Sequence, residues 1–140
     1  MRRLTLFSIL ILISLAVVAC GGNGGSSDAS ESTALVGDAT RGEELYKQSL
    51  MGDTSAPGCA TCHSLVEDVV FVGPSHAGVG TRAETAVEGM TAAEYLEQSI
   101  REPDAVIHEG FTAGVMYQNY DSDLTDQQIA DLVAFLLTLK

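Results

Sequence analysis

Five consecutive residues, Cys59-Ala60-Thr61-Cys62-His63, constrain this 140-residue chain more than any other feature. Two thiols one tight turn apart, with an imidazole directly after them, must be displayed together, so the fold has to form around whatever they hold. C-x-x-C-H is the sequence through which c-type haem is attached. Each sulfur adds to one vinyl group of the porphyrin, which requires both thiols at the same edge of the ring. His63 then lies under the iron as its proximal ligand, neutral and donating through one ring nitrogen. Two other readings use the same cysteines: a thioredoxin-like redox disulfide and half of a zinc site. The first follows a strand in a βαβ unit, whereas Gly52 to Gly58 is a turn-rich loop; the second needs further ligands, and no cysteine follows Cys62. The expected cofactor is one covalently bound haem c.

The chain opens with Met1-Arg2-Arg3, an apolar run of 16 residues from Leu4 to Ala19, and then Cys20 with a glycine-rich stretch. A short basic region, an apolar centre and a small residue before the break are the parts of a secretory signal. Val17-Val18-Ala19-Cys20 resembles a bacterial lipobox, in which the signal is cut before the cysteine and that cysteine is lipidated. The run is shorter than the roughly 20 residues of a spanning helix, and an uncleaved, short membrane anchor is the alternative. Both readings put the rest of the chain on the outer, periplasmic or extracytoplasmic face of a bacterial cell membrane. Residues 1–19 are thus expected to be the signal and 20–37 the lipidated Cys20 with a flexible Gly/Ser tether, spanning on the order of 20 to 25 Å. With Cys20 on lipid and Cys59 and Cys62 on haem, no cysteine is left over.

Without the signal, five basic residues face 19 acidic ones, a formal charge of −14 before haem propionates. That balance excludes nucleic acid and anionic membrane surfaces as partners. Its plain reading is solubility; its sharper one is steering towards a basic docking patch on a redox partner protein.

Residues 38–140 are expected to form one domain, and because its own core is modest the haem face is a substantial part of what the chain folds around. Three helices are legible. The first runs from about Asp38 or Thr40 to Leu50, with Thr40 and Glu43 as a capping box. The second starts at Thr91, with Glu94 in the box position and Tyr95, Leu96, Ser99 and Ile100 on one side, and stops before Pro103. The last starts at Thr125 with Gln128 and runs to the C-terminus, carrying Ile129, Leu132, Val133, Leu136 and Leu137 as an apolar stripe. No stretch alternates as a strand, so the fold class is all-α.

The second axial position of the iron decides between electron transfer and small-molecule binding. Met51, Met90, Met116, His76 and His108 are the candidates. Met116 stands 53 residues after His63, in a polar, Gly-containing loop between the last two legible helices, from which the far face of the ring is within reach. It is the expected ligand; Met51 and Met90 read as packing or loop residues, His76 and His108 as exposed ones. A thioether favours reduced iron and leaves no open position, which suits outer-sphere electron transfer.

From Gly37 to Lys140 the chain resembles the class I cytochromes c. Gly42 with Tyr46, and Leu132 with Phe135, match the pairs at which that family's N- and C-terminal helices cross. Val72-Gly73-Pro74 resembles the loop after the haem motif, which implies that the Pro74 carbonyl accepts the other N–H of His63. Arg82 matches a position near a haem propionate. The stretch from Tyr95 through Pro103 and Gly110 to Met116 and Tyr120 resembles the methionine side of the family. Two departures stand out: Tyr117 replaces the proline that usually follows the ligand, and the loop from Lys47 to Gly58 is longer than usual. Export suits the family, whose haem is attached outside the cytoplasm.

The resemblance implies a small helical domain wrapped around one haem, held by Cys59, Cys62, His63 and Met116, with Pro74 and Arg82 beside it. It implies electron transfer between respiratory or photosynthetic complexes, with redox proteins as partners, no small-molecule substrate and no enzyme activity. A fixed haem subunit of a larger redox complex is one alternative. A haem gas sensor or peroxidase-like enzyme, which needs an open distal site, is the other.

Overall fold

The computed structural model describes residues 35–51 and 54–140. The expected signal, Cys20 and most of the tether lie outside the described residues. Among those described, the chain forms helices α1 (Ala39–Lys47), α2 (Val79–Arg82), α3 (Ala92–Arg101), α4 (Tyr120–Asp123) and α5 (Asp126–Thr138). The only β pairing among them is an isolated bridge between Leu50 and Pro57. The chain is all-α, as its periodicity implies.

Two of these helices start where reciprocal caps place them. The Thr91 hydroxyl accepts from the Glu94 N–H at 3.2 Å while the Glu94 carboxylate accepts from the Thr91 N–H at 2.8 Å. Thr125 and Gln128 do the same at 3.3 and 2.9 Å, so each pair satisfies donors that a helix start otherwise leaves open. On α5 the stripe of Ile129, Leu132, Val133 and Leu136 is buried, as are Leu96 and Ile100 of α3. Arg101, in the last turn of α3, reaches Glu97, Asp121 and Asp126 and so ties α3 to α4 and to the start of α5.

The first helix departs from its expected cap. No Thr40–Glu43 box forms; Asp38 is the N-cap, its carboxylate accepting from the N–H groups of Thr40 and Arg41 at 2.8 and 3.0 Å. Glu43 pairs instead with Lys47, one turn on. The helix also ends at Lys47 rather than Leu50, because Gln48 is extended and the chain turns back to bring Leu50 against Pro57. The helices α2 and α4, four residues each, were beyond the reach of periodicity. They matter as struts: the Gly80 N–H donates to the Leu139 carbonyl at 2.8 Å, and the Tyr120 hydroxyl to the Pro57 carbonyl at 2.8 Å.

Helix α1 packs chiefly on α5. Tyr46 meets Phe135 edge-on at 5.1 Å, and Leu132 is fully buried in the same core. Asp131, only 4 % exposed, joins the two helices. Its carboxylate accepts from the Asp38 N–H at 2.7 Å, from two Arg41 nitrogens at 2.8 Å each and from Gln127 at 2.8 Å. The Arg41 guanidinium holds the Asp131 carboxyl below its ordinary value of 3.8, with the Asp38 N–H and Gln127 acting in the same sense. A depressed carboxylate stabilises the fold fully above its unfolded value, and that stabilisation is lost as pH falls through the folded one. Asp131→Asn should therefore be less stable than the parent at neutral pH, with the gap narrowing as pH falls below the ordinary carboxylate value of 3.8. Urea denaturation midpoints at neutral and at acid pH check this; a gap of constant size would sever Asp131 from the acid response.

Candidate cofactor site

Among the described residues the helices leave a large cavity beside the core, about 700 Å³ in volume. That lies within the roughly 300 to 1,000 Å³ of ligand pockets in general. Its walls include Cys59, Cys62 and His63, the Tyr95, Leu96, Ser99 and Ile100 face of α3, and the segment carrying Val115 and Met116. The four α3 residues grouped by helical spacing in the sequence thus share one wall.

Residues Cys59–Thr61 form a single 3₁₀ turn. The N–H groups of Cys62 and His63 both donate to the Cys59 carbonyl, at 3.1 and 2.9 Å. The turn brings both thiols, half-buried and unbonded to each other, to the cavity. Burial pushes the Cys59 thiol up to about 12. Among the described residues no three His, Cys, Asp or Glu side chains are grouped to hold a metal ion, which leaves a closed zinc site without its ligands.

The His63 Nδ1 lies 2.8 Å from the Pro74 carbonyl oxygen. A carbonyl only accepts, so Nδ1 carries the proton and the lone pair of Nε2 is free for a metal. Burial lowers the pKa of His63 below its ordinary 6.5, against the opposing bond to Pro74, and the ring is neutral as a ligand must be. Gly73 lies so close that a Cβ there would come within 2.4 Å of His63 Cε1 and 2.8 Å of Nδ1. Its own N–H donates to the Cys62 carbonyl at 2.9 Å, so the loop is strapped to the motif it supports. Only glycine permits that approach, a role the spacing of residues does not reveal.

Met116 is half-buried and lines the cavity. Met51 is fully buried in the core, and neither it nor Met90 is among the lining residues. The Met116 loop is held by Asp104, whose carboxylate accepts from the Gly114 N–H at 2.8 Å and from Gln118 at 3.3 Å, while Gln118 also donates to the Met116 carbonyl at 2.9 Å. Tyr117, in the place of the family's proline, donates to Asp123 at 2.6 Å.

Arg82 lines the cavity with its guanidinium exposed, donating to the Ala77 carbonyl and to the Ser75 carbonyl at 2.7 Å. The four other cations among the described residues each pair with a carboxylate, whereas Arg82 does not. His108 is exposed. His76 corrects its expectation: it is half-buried, faces the cavity and stacks on His63.

These residues fit a haem. Two thiols stand on one turn, a neutral imidazole keeps one nitrogen free, the walls are largely apolar, and a guanidinium without a carboxylate partner borders the cavity.

Comparison with known proteins agrees with that chemistry. The family model described as cytochrome c matches residues 39–140. Similar solved structures include SoxXA from P. pantotrophus, with a TM-score of 0.48 and 22 % identity over 77 % of this chain and 85 % of that one. Ferricytochrome c2 from Rhodopseudomonas palustris has a TM-score of 0.40 and 25 % identity, over 74 % of this chain and 99 % of that one. None of the curated proteins matches.

Proposed function

Because the chain belongs to the cytochrome c family, whose members transfer electrons through c-type haem, we propose that it is a monohaem shuttle held to the outer face of a bacterial membrane by lipid on Cys20. Cys59 and Cys62 would hold the haem covalently, and His63 and Met116 would be its axial ligands. The haem supplies a one-electron ferric/ferrous couple when bound there. The protein's part is positional. Pro74 would keep the His63 proton on Nδ1, the apolar residues of α3 with Leu136 of α5 would exclude water, and Arg82 would supply positive charge for propionates. One observation carries the ligand assignment: among the described residues Met116 is the only methionine on the cavity that His63 lines. A thioether there would close the sixth position, so the chain is read as a carrier and not as an enzyme or gas sensor.

The partner is read as a redox protein with a basic docking patch. With four of the five described cations already paired, the surface acid is largely uncompensated. Charge of one sign steers encounter with the other and sets its salt dependence.

The test is an absorption spectrum of the exported protein, oxidised and reduced, with and without carbon monoxide, and the mass of the same sample. A low-spin, covalently retained haem with the weak far-red band of iron–methionine ligation, inert to carbon monoxide, on a chain beginning at a lipidated Cys20, is the expected result. A haem that binds carbon monoxide would sink the carrier reading, and an unmodified N-terminus at Met1 would sink the lipid anchor.

A further inference from the structure

Electron transfer through a haem ligated by His63 gives His76 no part, yet His76 is closely held. Its ring lies against that of His63, centroids 3.9 Å apart and planes only 16° from parallel. The His76 Nδ1 and the Tyr46 hydroxyl are hydrogen-bonded at 3.2 Å. Tyr46 is fully buried and is itself locked edge-on to Phe135 of α5, the centroids 5.1 Å apart. The backbone is fixed as well: the His76 N–H donates to the Ser64 carbonyl at 2.8 Å, and the Val79 N–H donates to the His76 carbonyl at 3.1 Å.

A side chain that only filled this space would need neither a flat face nor a ring nitrogen; an aliphatic group of similar size gives the same dispersion contacts. The need for a plane comes from His63. One hydrogen bond to Pro74 fixes the position of Nδ1 but leaves the ring able to rock about that bond. Gly73 crowds one part of the ring, and a parallel ring against its face removes the remaining freedom. We propose that His76 is a positioning residue for His63: the stack sets the plane of the imidazole, and Tyr46 sets the stack, so the rigidity of the α1–α5 crossing reaches the ligand. The inference rests on His63 being the iron ligand. Two properties then depend on His76. With haem bound, a held imidazole plane would favour a single low-spin state. A well-aligned Nδ1–H on the Pro74 carbonyl makes His63 a stronger donor, which favours ferric iron.

The experiment compares the haem-loaded full chain with His76→Leu, which fills the space without a flat face, and with Tyr46→Phe, which removes only the hydroxyl. Ferric electron paramagnetic resonance, the reduction equilibrium against a fixed mediator and thermal stability are measured on each. For His76→Leu the low-spin signal is expected to shift or broaden. Its reduction equilibrium should move towards the reduced form by roughly threefold to tenfold, tenfold being about 59 mV for one electron. Tyr46→Phe should move both readouts in the same sense and by less, and it supplies the answer if His76→Leu fails to take up haem. Unchanged resonance and equilibrium in the haem-loaded variants overturn the proposal, whatever happens to stability, because they would make His76 plain filling. Failure of the underlying reading shows earlier and separately, as the absence of a low-spin histidine-ligated signal in the unsubstituted protein.

Discussion

Replacing Gly42 by alanine is expected to destabilise this domain by about 3 kcal/mol or more, a large share of the roughly 5 to 15 kcal/mol that holds a domain folded. Inside an exposed helix the same change would be favourable by up to about 1 kcal/mol, since glycine is the poorer helix former. The sign reverses here because the two backbones touch. A Cβ on Gly42 would stand 1.9 Å from the Asp131 carbonyl oxygen, 2.6 Å from its carbon and 2.9 Å from Phe135 Cβ. Two of those three atoms are backbone within α5, so no side-chain rotation relieves the overlap and the helices must move apart. Separation would loosen the Tyr46–Phe135 contact and the bonds of Asp131 to Asp38 and Arg41 together. The measurement is a urea denaturation midpoint beside that of Glu44→Ala, an exposed position two residues along the same helix that should change little. Equal midpoints would mean that the crossing is not as close as its geometry.

How much of this was legible beforehand depended on whether the cause was local. The starts of α3 and α5 are written within four residues each, as Thr91 to Glu94 and Thr125 to Gln128, and both caps form. The start of α1 is not local. Asp38 outcompetes Thr40 as the cap, and its backbone is pinned by Asp131, 93 positions away, a partner that no window of sequence contains. The motif Cys59–His63 is local chemistry and marked the site directly. The supports of His63 are not. Gly73 serves by what it lacks, and His76 acts through a ring 13 residues upstream that folding lays parallel to it. A histidine in a polar loop reads as exposed because burial of its ring is decided by Tyr46, whose own position follows from the α1–α5 crossing. The short α2 and α4 have too few residues for any period, although Tyr120 of α4 fixes the approach to Cys59 by its bond to Pro57.

Met116→Ala is expected to change the chemistry of the site more than any other single substitution. The proposed thioether is neutral and soft, and it stabilises the reduced iron relative to harder ligands. Alanine cannot ligate, so water or an added ligand would take the position, and the reduction potential should fall by on the order of one to a few tenths of a volt, out of the roughly 0.8 V that axial ligands span. The reduced variant should bind carbon monoxide and the oxidised one should lose the far-red band. The fold should survive, because Met116 is only half-buried and its loop is held independently by Asp104 and Gln118. Met51→Leu is the matched control: Met51 is fully buried yet does not line the cavity, so its replacement should alter stability slightly and the spectrum not at all. If Met116→Ala keeps the parental potential and remains inert to carbon monoxide, Met116 is a wall of the cavity and nothing more. The sixth position would then be filled by another group, because an open one would admit carbon monoxide; carbon monoxide binding by the unsubstituted protein would instead mark the open position that a sensor or peroxidase-like protein needs. The same pair of spectra therefore assigns the ligand and decides between a carrier and a ligand-binding haem protein.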